Sequence, residues 1–351
     1  VGLTILKEAG GLMLKYILRR IGYMILVFFL ISFLMYALYN LIPSDPARVE
    51  LEGQRASLKP DQYQALYSQL REEYGLDDPI LLRYARWIGV SPNKRSGQLD
   101  GILQGNIGYS IWRKTAVKNI IGAPMLNTVF INIFATILAL GICIPLGIYC
   151  AVKKRSRFDN TVQVLTIVGY SVPIYIVALV CIFFFAVALR IFPVSGMATP
   201  GANYTGLKGF LDRLYYMTLP LIVMTLASLG GMTRYVRAAM IDCLSMDYVR
   251  TARAKGVREK AVIYSHAWRN ALLPVITVVI GWFLGIFSGS VIVESTFGLN
   301  GMGKLYIDGL RNNDYELVLA MQMFYTVISL LGSLIIDLSY GLVDPRVRVN
   351  K

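Results

Sequence analysis

The chain has 351 residues, a net charge of +14 and one histidine. It is 56% hydrophobic and only 16% charged, with a mean hydropathy of +0.55, whereas soluble domains average about 25% charged residues. That excludes an ordinary soluble domain, and the lone His266 argues against a histidine-based active site or metal cluster.

A helix that spans a bilayer needs about 20 mainly apolar residues. Six stretches reach that length without Asp, Glu, Lys or Arg: Ile21–Ile42, Gly122–Val152, Asn160–Leu189, Leu214–Thr233, Asn270–Val293 and Leu317–Ile336. None alternates as a barrel strand would. The expected fold class is therefore an all-α membrane protein with six transmembrane helices.

The first run follows Lys15, Arg19 and Arg20, as a secretory signal does. It outlasts a signal's apolar core, and its exit, Ile42-Pro43-Ser44-Asp45-Pro46, offers no small-x-small cleavage site. It reads as a retained helix. Upstream, Val1–Leu12 is weakly patterned and Met13 is a candidate start.

Next comes the longest polar stretch, Pro43–Ile121. Pro60 opens an expected helix that Gly75 ends, and Pro79–Trp87 suggests a second, with Leu81, Leu82, Tyr84, Ala85 and Ile88 as an apolar stripe. The insertion is either a cap that meets an external partner or a lid that packs on helix ends. Within the later runs, proline and glycine are plentiful (Pro145, Gly147, Gly169, Pro173, Pro220, Pro274, Gly281, Gly285, Gly289), which implies kinks and close helix approaches. Asn127, Asn132, Ser171 and Pro173, with Gln163, are candidates to line a polar path. The asparagines, Gln163 and Ser171 are equally suited to hydrogen bonds between helices. Asp337 is the one acid read at membrane depth, too little for a proton-coupled carrier.

Charge fixes an expected orientation. With the amino terminus in the cytoplasm, the inner loops hold 19 basic and 7 acidic residues and the outer loops 16 and 14, so +12 of the +14 lies inside. The excess basic charge is topological, and nucleic acid is not an expected partner. Cys143, Cys150, Cys181 and Cys243 form no disulfide or zinc framework. Gly298-Leu-Asn-Gly-Met-Gly303-Lys304 fits seven positions of a phosphate-binding loop, but Leu305 replaces the Ser or Thr that would hold magnesium. It reads as a glycine-rich turn outside the membrane, so this chain is expected to bind no nucleotide or metal of its own.

The segment from Met240 to Pro274 is basic, amphipathic and too long for a simple connection. A helix through Ser245–Lys255 would place Tyr248, Ala252 and Lys255 roughly on one face, with Arg250, Arg253 and Arg258 free for polar contacts. Gly256 permits a sharp turn into a second short helix through Glu259–Trp268. Two helices joined at a glycine make a knob suited to a cleft on a soluble partner. A membrane-surface helix held by anionic lipid would not need the glycine.

Asp247-Tyr-Val-Arg-Thr-Ala-Arg-Ala-Lys-Gly256, followed by Trp268-Arg-Asn-Ala-Leu-Leu-Pro274, resembles the cytoplasmic docking motif of binding-protein-dependent ABC importers, and more narrowly of the B-type permease of the dipeptide/oligopeptide/nickel family. Leu14-Lys-Tyr-Ile-Leu-Arg-Arg-Ile, Gly105-Asn-Ile-Gly-Tyr-Ser110, Asn127-Thr128, Gly298–Gly303 and Asp337-Leu-Ser-Tyr-Gly-Leu-Val-Asp-Pro-Arg346 resemble that family too, so the likeness covers nearly the whole chain from Met13. Arg250-Thr251-Ala252 stands where importers in general carry Glu-Ala-Ala, and the spacing from Gly256 to Pro274 is longer than in sugar importers.

The resemblance implies a type I ABC importer permease fold, with a helical extracytoplasmic insertion and a cytoplasmic coupling-helix loop. Residues 1–20 would be a cytoplasmic segment, 21–42 the first span, 43–121 the insertion, 122–343 the core and 344–351 a cytoplasmic tail. Core spans would cover about 122–152, 160–189, 214–233, 270–293 and 317–338, with the coupling loop at 241–269. Asp247, Tyr248, Arg250, Ala252, Arg253, Lys255, Gly256 and Arg258 would dock an ATPase. Implied partners are a C-type permease, two cytoplasmic ATPases that bind ATP and magnesium, an extracytoplasmic binding protein and membrane lipid. The chain itself would be a non-catalytic subunit in a bacterial cytoplasmic membrane, with both termini inside. Peptides are the expected cargo. Nickel or another small solute is the alternative, and a secondary transporter a more distant one.

Overall fold

The first apolar run and the basic segment before it contain no proline and form one unbroken helix, α1 (Gly2–Leu41). On it Leu26, Leu30, Leu34 and Leu38 are 64%, 59%, 51% and 56% exposed, a stripe at i+4 spacing left uncovered among the described residues. The structure is a computed structural model, and it describes the backbone of residues 2–42 and 45–343 and the side chains of 16–42 and 45–338. The expected tail at 344–351 lies outside the described residues.

Short helices follow α1: α2 (Pro46–Leu51), α3 (Pro60–Tyr74) and α4 (Ile80–Ile88). Asp45 caps α2 by accepting the Ala47 N–H at 3.0 Å. Gly75, at φ +61°, ends α3 in the left-handed conformation that favours glycine. On α4 the apolar stripe is only partly buried. Ile88 is covered, while Leu81 is 66% exposed, because Tyr84 and Trp87 take the face against α1, where Tyr84 meets the Ser32 hydroxyl at 2.7 Å. A small hairpin, β1 (Tyr109–Ser110) with β2 (Thr115–Ala116), precedes α5 (Val117–Val152).

The third apolar run is not one straight helix. It forms α6 (Arg157–Ser171) and α7 (Ile174–Cys181), the latter continued by a wider π-helical turn to Ala188, and the two halves meet at 99°. The reason is local: Pro173 has no N–H, and Val172 before it is extended at ψ 124°. A 39-residue helix follows, α8 (Gly206–Leu244), then α9 (Asp247–Ala254) and α10 (Glu259–Ala261). A π-helical stretch, Val262–Trp268, joins α10 to α11 (Arg269–Leu284). The helix that carries the fifth apolar run therefore starts at Glu259 and ends at Phe287, not at Asn270 and Val293. The expected second short helix of the knob is the beginning of that helix. The chain closes with α12 (Val291–Thr296), α13 (Met302–Arg311) and α14 (Tyr315–Val343). Among the described residues, five helices are long and apolar enough to cross a membrane, and the bent α6–α7 pair makes six.

Two units divide these elements: the chain up to Gly122 with Tyr306–Leu334, and Ala123–Leu305 with the chain from Ile335. In the first, α2 and α3 share a small core of Ala47, Leu51 and Leu70. The second has two cores. One gathers around Ala178, Met217, Val223 and Phe297, the other around Val236, Met240, Val249 and Val262.

Candidate functional site

The second of those cores supports the knob. α8 ends at Ser245, whose hydroxyl donates to the Asp242 carbonyl at 2.7 Å, and α9 begins two residues later. Val249 and Ala252 point inward and are buried with Val262 and Ala267. Gly256 has φ +74°, and its N–H donates to the Arg253 carbonyl at 2.9 Å. The N–H of Val257 donates to the Ala252 carbonyl at 3.2 Å, which closes the helix end. Across the turn Arg253 grips Glu259 through Nε at 3.2 Å and Nη2 at 2.7 Å. The turn is thus fixed by backbone and side chain together.

Asp247, Tyr248, Arg250, Lys255 and Arg258 are exposed on this knob. Arg253 is exposed too, but it braces Glu259. Ala252 is different: it is 6% exposed and sits in the core, so it holds the knob in place and offers no contact surface. Tyr248 and Lys255 share no exposed face with it.

Three groups of buried polar residues went unread in the sequence. The first is Asp159, fully buried, which takes the Arg237 guanidinium side-on at 2.6 and 2.7 Å and also accepts the Arg155 N–H at 2.9 Å. This pair ties the start of α6 to α8, two turns before the knob. The sequence did contain one signal, Ser156-Arg-Phe-Asp159, a capping-box spacing in which the Ser156 hydroxyl receives the Asp159 N–H at 3.1 Å. The second is Ser110 on β1, whose hydroxyl donates to the buried Asp314 just before α14.

The third is Glu294 on α12, 2% exposed. Its carboxylate accepts the Thr128 hydroxyl at 2.8 Å and the Lys304 N–H at 2.9 Å, while Thr128 receives the Met302 N–H at 2.8 Å. This explains the glycine-rich turn. A Cβ on Gly301 would lie 2.5 Å from Glu294 Oε2. The glycines cradle a carboxylate of their own chain where a nucleotide loop would cradle a phosphate.

Burial pushes the Glu294 carboxyl above its ordinary value of 4.5, against the Lys304 N–H and the Thr128 hydroxyl, which favour the charged form. The folded chain then keeps a proton that the unfolded chain releases. Its stabilising effect is complete below 4.5 and is lost as pH rises through the folded value. Compared with Glu294→Gln, the wild type is expected to lose thermal stability as pH rises above 4.5. Melting curves in detergent across that range check this, and a constant difference between the two proteins refutes it.

Asn127 and Asn132 act between helices. Asn127 donates to the Asn300 carbonyl at 2.7 Å and receives Arg213, while Asn132 donates to the carbonyls of Ile286 at 2.7 Å and Ser288 at 3.1 Å. Ser171 and Pro173 are exposed at the α6–α7 break. Asn132 also lines a cavity of about 350 Å³ with Thr136, Ser228, Trp282 and Ser290, and none of the cavity's lining side chains is charged. The structure brings Asn132 to this cavity, and Asn127, Ser171 and Pro173 are not in its lining.

Residues 143–349 match the family described as binding-protein-dependent transport system inner membrane component. Residues 13–132 match the amino-terminal part of such a membrane component. The chain is 35% identical over 336 residues to the oligopeptide transport system permease protein AppB of Bacillus subtilis, covering 95% of this chain and 99% of that one. It is 34% identical over 357 residues to the dipeptide transport system permease protein DppB of Escherichia coli, at 97% and 100% coverage. The di/tripeptide transport system permease protein DppB of Pseudomonas aeruginosa is 32% identical over 351 residues, at 96% and 99%.

Proposed function

Since the chain belongs to the binding-protein-dependent transport system inner membrane components, we propose that it is the permease subunit of an ATP-driven peptide importer. The observation that carries this reading is end-to-end similarity to permeases named for oligopeptides, dipeptides and tripeptides. The chain forms half of a translocation path, and a related C-type permease supplies the other half. An extracytoplasmic binding protein delivers the peptide, and two cytoplasmic ATPases bind ATP with magnesium and drive the cycle. The basic-residue balance supports a cytoplasmic side for both termini and the knob.

The geometry suits that work. Tyr248, Arg250, Lys255 and Arg258 present a polar, basic surface to an ATPase cleft, and the Gly256 turn and the Arg253–Glu259 brace keep it from flexing. Motion of the ATPase then moves α9 and, through the Asp159–Arg237 pair, α6 as well. The bend at Ser171–Pro173 is where α6 and α7 can change angle. An uncharged cavity suits cargo of varied charge, because it carries no fixed charge to repel or trap a side chain.

Gly256→Pro tests the docking assignment. Proline cannot adopt φ +74° and removes the N–H that binds Arg253. The variant is expected to insert normally and to lose co-purifying ATPase at least tenfold. Recovery of wild-type amounts of ATPase with it would sink the assignment.

A further inference from the structure

The first unit encloses a cavity of about 490 Å³ to which the transport cycle above assigns no role. Tyr36, Tyr39, Tyr74, Trp87 and Tyr315 line it, and Glu316 opens into it. Ring centroids lie 5.1 Å apart for Tyr36 and Trp87 and 6.0 Å apart for Tyr39 and Tyr315, so the aromatic wall is packed on itself. Glu316 accepts the Tyr109 N–H at 2.8 Å. Among the described residues it forms no salt bridge, and neither does its neighbour Asp314. Glu316 thus has no cation on it among the described residues, while Asp314, outside the lining, is taken by the Ser110 hydroxyl.

Basic residues also reach the lining. Arg71 is held by Asp45 at 2.7 Å and by Asp77, while Arg83 donates to the neutral amide oxygen of Asn40 and makes no salt bridge among the described residues. Arg48 makes no salt bridge among the described residues. It lies 5.3 Å over the Tyr67 ring, and its Nε is 3.3 Å from the Tyr67 hydroxyl.

Rings around a carboxylate suit an ammonium group, because the ring faces attract the cation and the carboxylate is its counter-charge. An interfacial aromatic belt would account for the tyrosines at span ends, but not for a carboxylate set among them. A favourable helix dipole would account for an acid in the first turn of α14, but not for its place beside five aromatic side chains in one lining. We propose that this cavity binds a primary ammonium group, with Glu316 as counter-ion and Arg48 meeting an anionic group on the same molecule. Two sources carry that chemistry: the amino terminus of a short peptide and the headgroup of an ethanolamine phospholipid. The peptide source rests on the peptide-cargo reading, and the lipid source does not.

The full chain in phosphatidylglycerol nanodiscs, free of ethanolamine lipid, is titrated with labelled dialanine and with N-acetyl-dialanine. In a second arm the discs contain phosphatidylethanolamine or its N-acylated form, and lipid retained by the chain is measured. A preference of at least tenfold for the free amine is expected in one arm, and the arm that shows it names the source. Glu316→Gln keeps an oxygen for the Tyr109 N–H and should remove the preference, while Arg48→Ala should weaken binding severalfold. Equal binding of free and blocked amines in both arms overturns the site, as does a preference that survives Glu316→Gln. If Glu316→Gln does not fold, Trp87→Leu decides in its place, and an unchanged preference there overturns the proposal. Uptake by whole cells reports separately on cargo: failure to import dialanine by cells whose purified chain keeps the preference removes the peptide-cargo reading and leaves the site.

Discussion

Asp159→Ala is expected to destabilise the folded chain by about 3–5 kcal/mol, the usual cost of stranding one member of a buried ion pair. Asp159 is wholly buried and accepts three donors, two from Arg237 and one from the Arg155 backbone. Removing it leaves the Arg237 guanidinium at the α6–α8 contact without a counter-charge. Replacing both partners, as in Asp159→Ala with Arg237→Met, should recover much of the loss, because the desolvation cost disappears with the charges. Thermal unfolding in detergent separates the variants, and a single variant that melts with wild type would show the pair to be idle. If the pair also links the knob to α6, the double variant should hydrolyse ATP in the assembled importer yet import less peptide.

Gly303→Ala should be nearly as damaging, although it adds only a methyl group. A Cβ there would stand 2.6 Å from Val291 N and 2.8 Å from Ser290 C, both backbone atoms that cannot turn aside. The turn holding Glu294 would have to open. The expected cost is at the upper end of the roughly 1–3 kcal/mol typical of overpacking. Gly281→Ala is the matched control: no atom lies within 4 Å of its added Cβ, and in a helix alanine is favoured by about 0.5–1 kcal/mol. Equal melting temperatures for Gly303→Ala and Gly281→Ala would show that the turn is slack.

Much of the fold was legible because lipid demands long apolar runs, and these are visible one residue at a time. What failed was the geometry inside two of the runs. Asn160–Leu189 is uncharged throughout, but Pro173 turns it by 99°, and hydropathy carries no angle. Asn270–Val293 was set by its lack of charge, whereas the helix runs on through the charged stretch from Glu259, because a helix can leave the bilayer without breaking. The knob was legible in Gly256 and its flanking charges. The inward turn of Ala252 was not, since helical spacing gives a face but not which side the core lies on. The pairs Asp159–Arg237 and Thr128–Glu294 join residues far apart in the chain, and no local pattern in a single sequence announces such partners.

The length of α8 bears on how far a movement at the knob can travel. Its 39 residues form a rod of roughly 58 Å. Near Gly230 and Gly147 it is crossed so closely that an added Cβ would lie 2.8 Å from the Thr166 and Thr233 carbonyls, respectively. A rod held at Gly230 has unequal arms, roughly 21 Å to Leu244 beside the knob and roughly 36 Å to Gly206 at the far end. For a helix that stays straight through Pro220, each ångström of tilt imposed by the knob would become about 1.7 Å at Gly206. On that longer arm sits Arg213, which holds Asn127 and, through it, the Asn300 carbonyl. Mechanical gain of this kind would let a small stroke by a motor reach the glycine-rich turn at the opposite face.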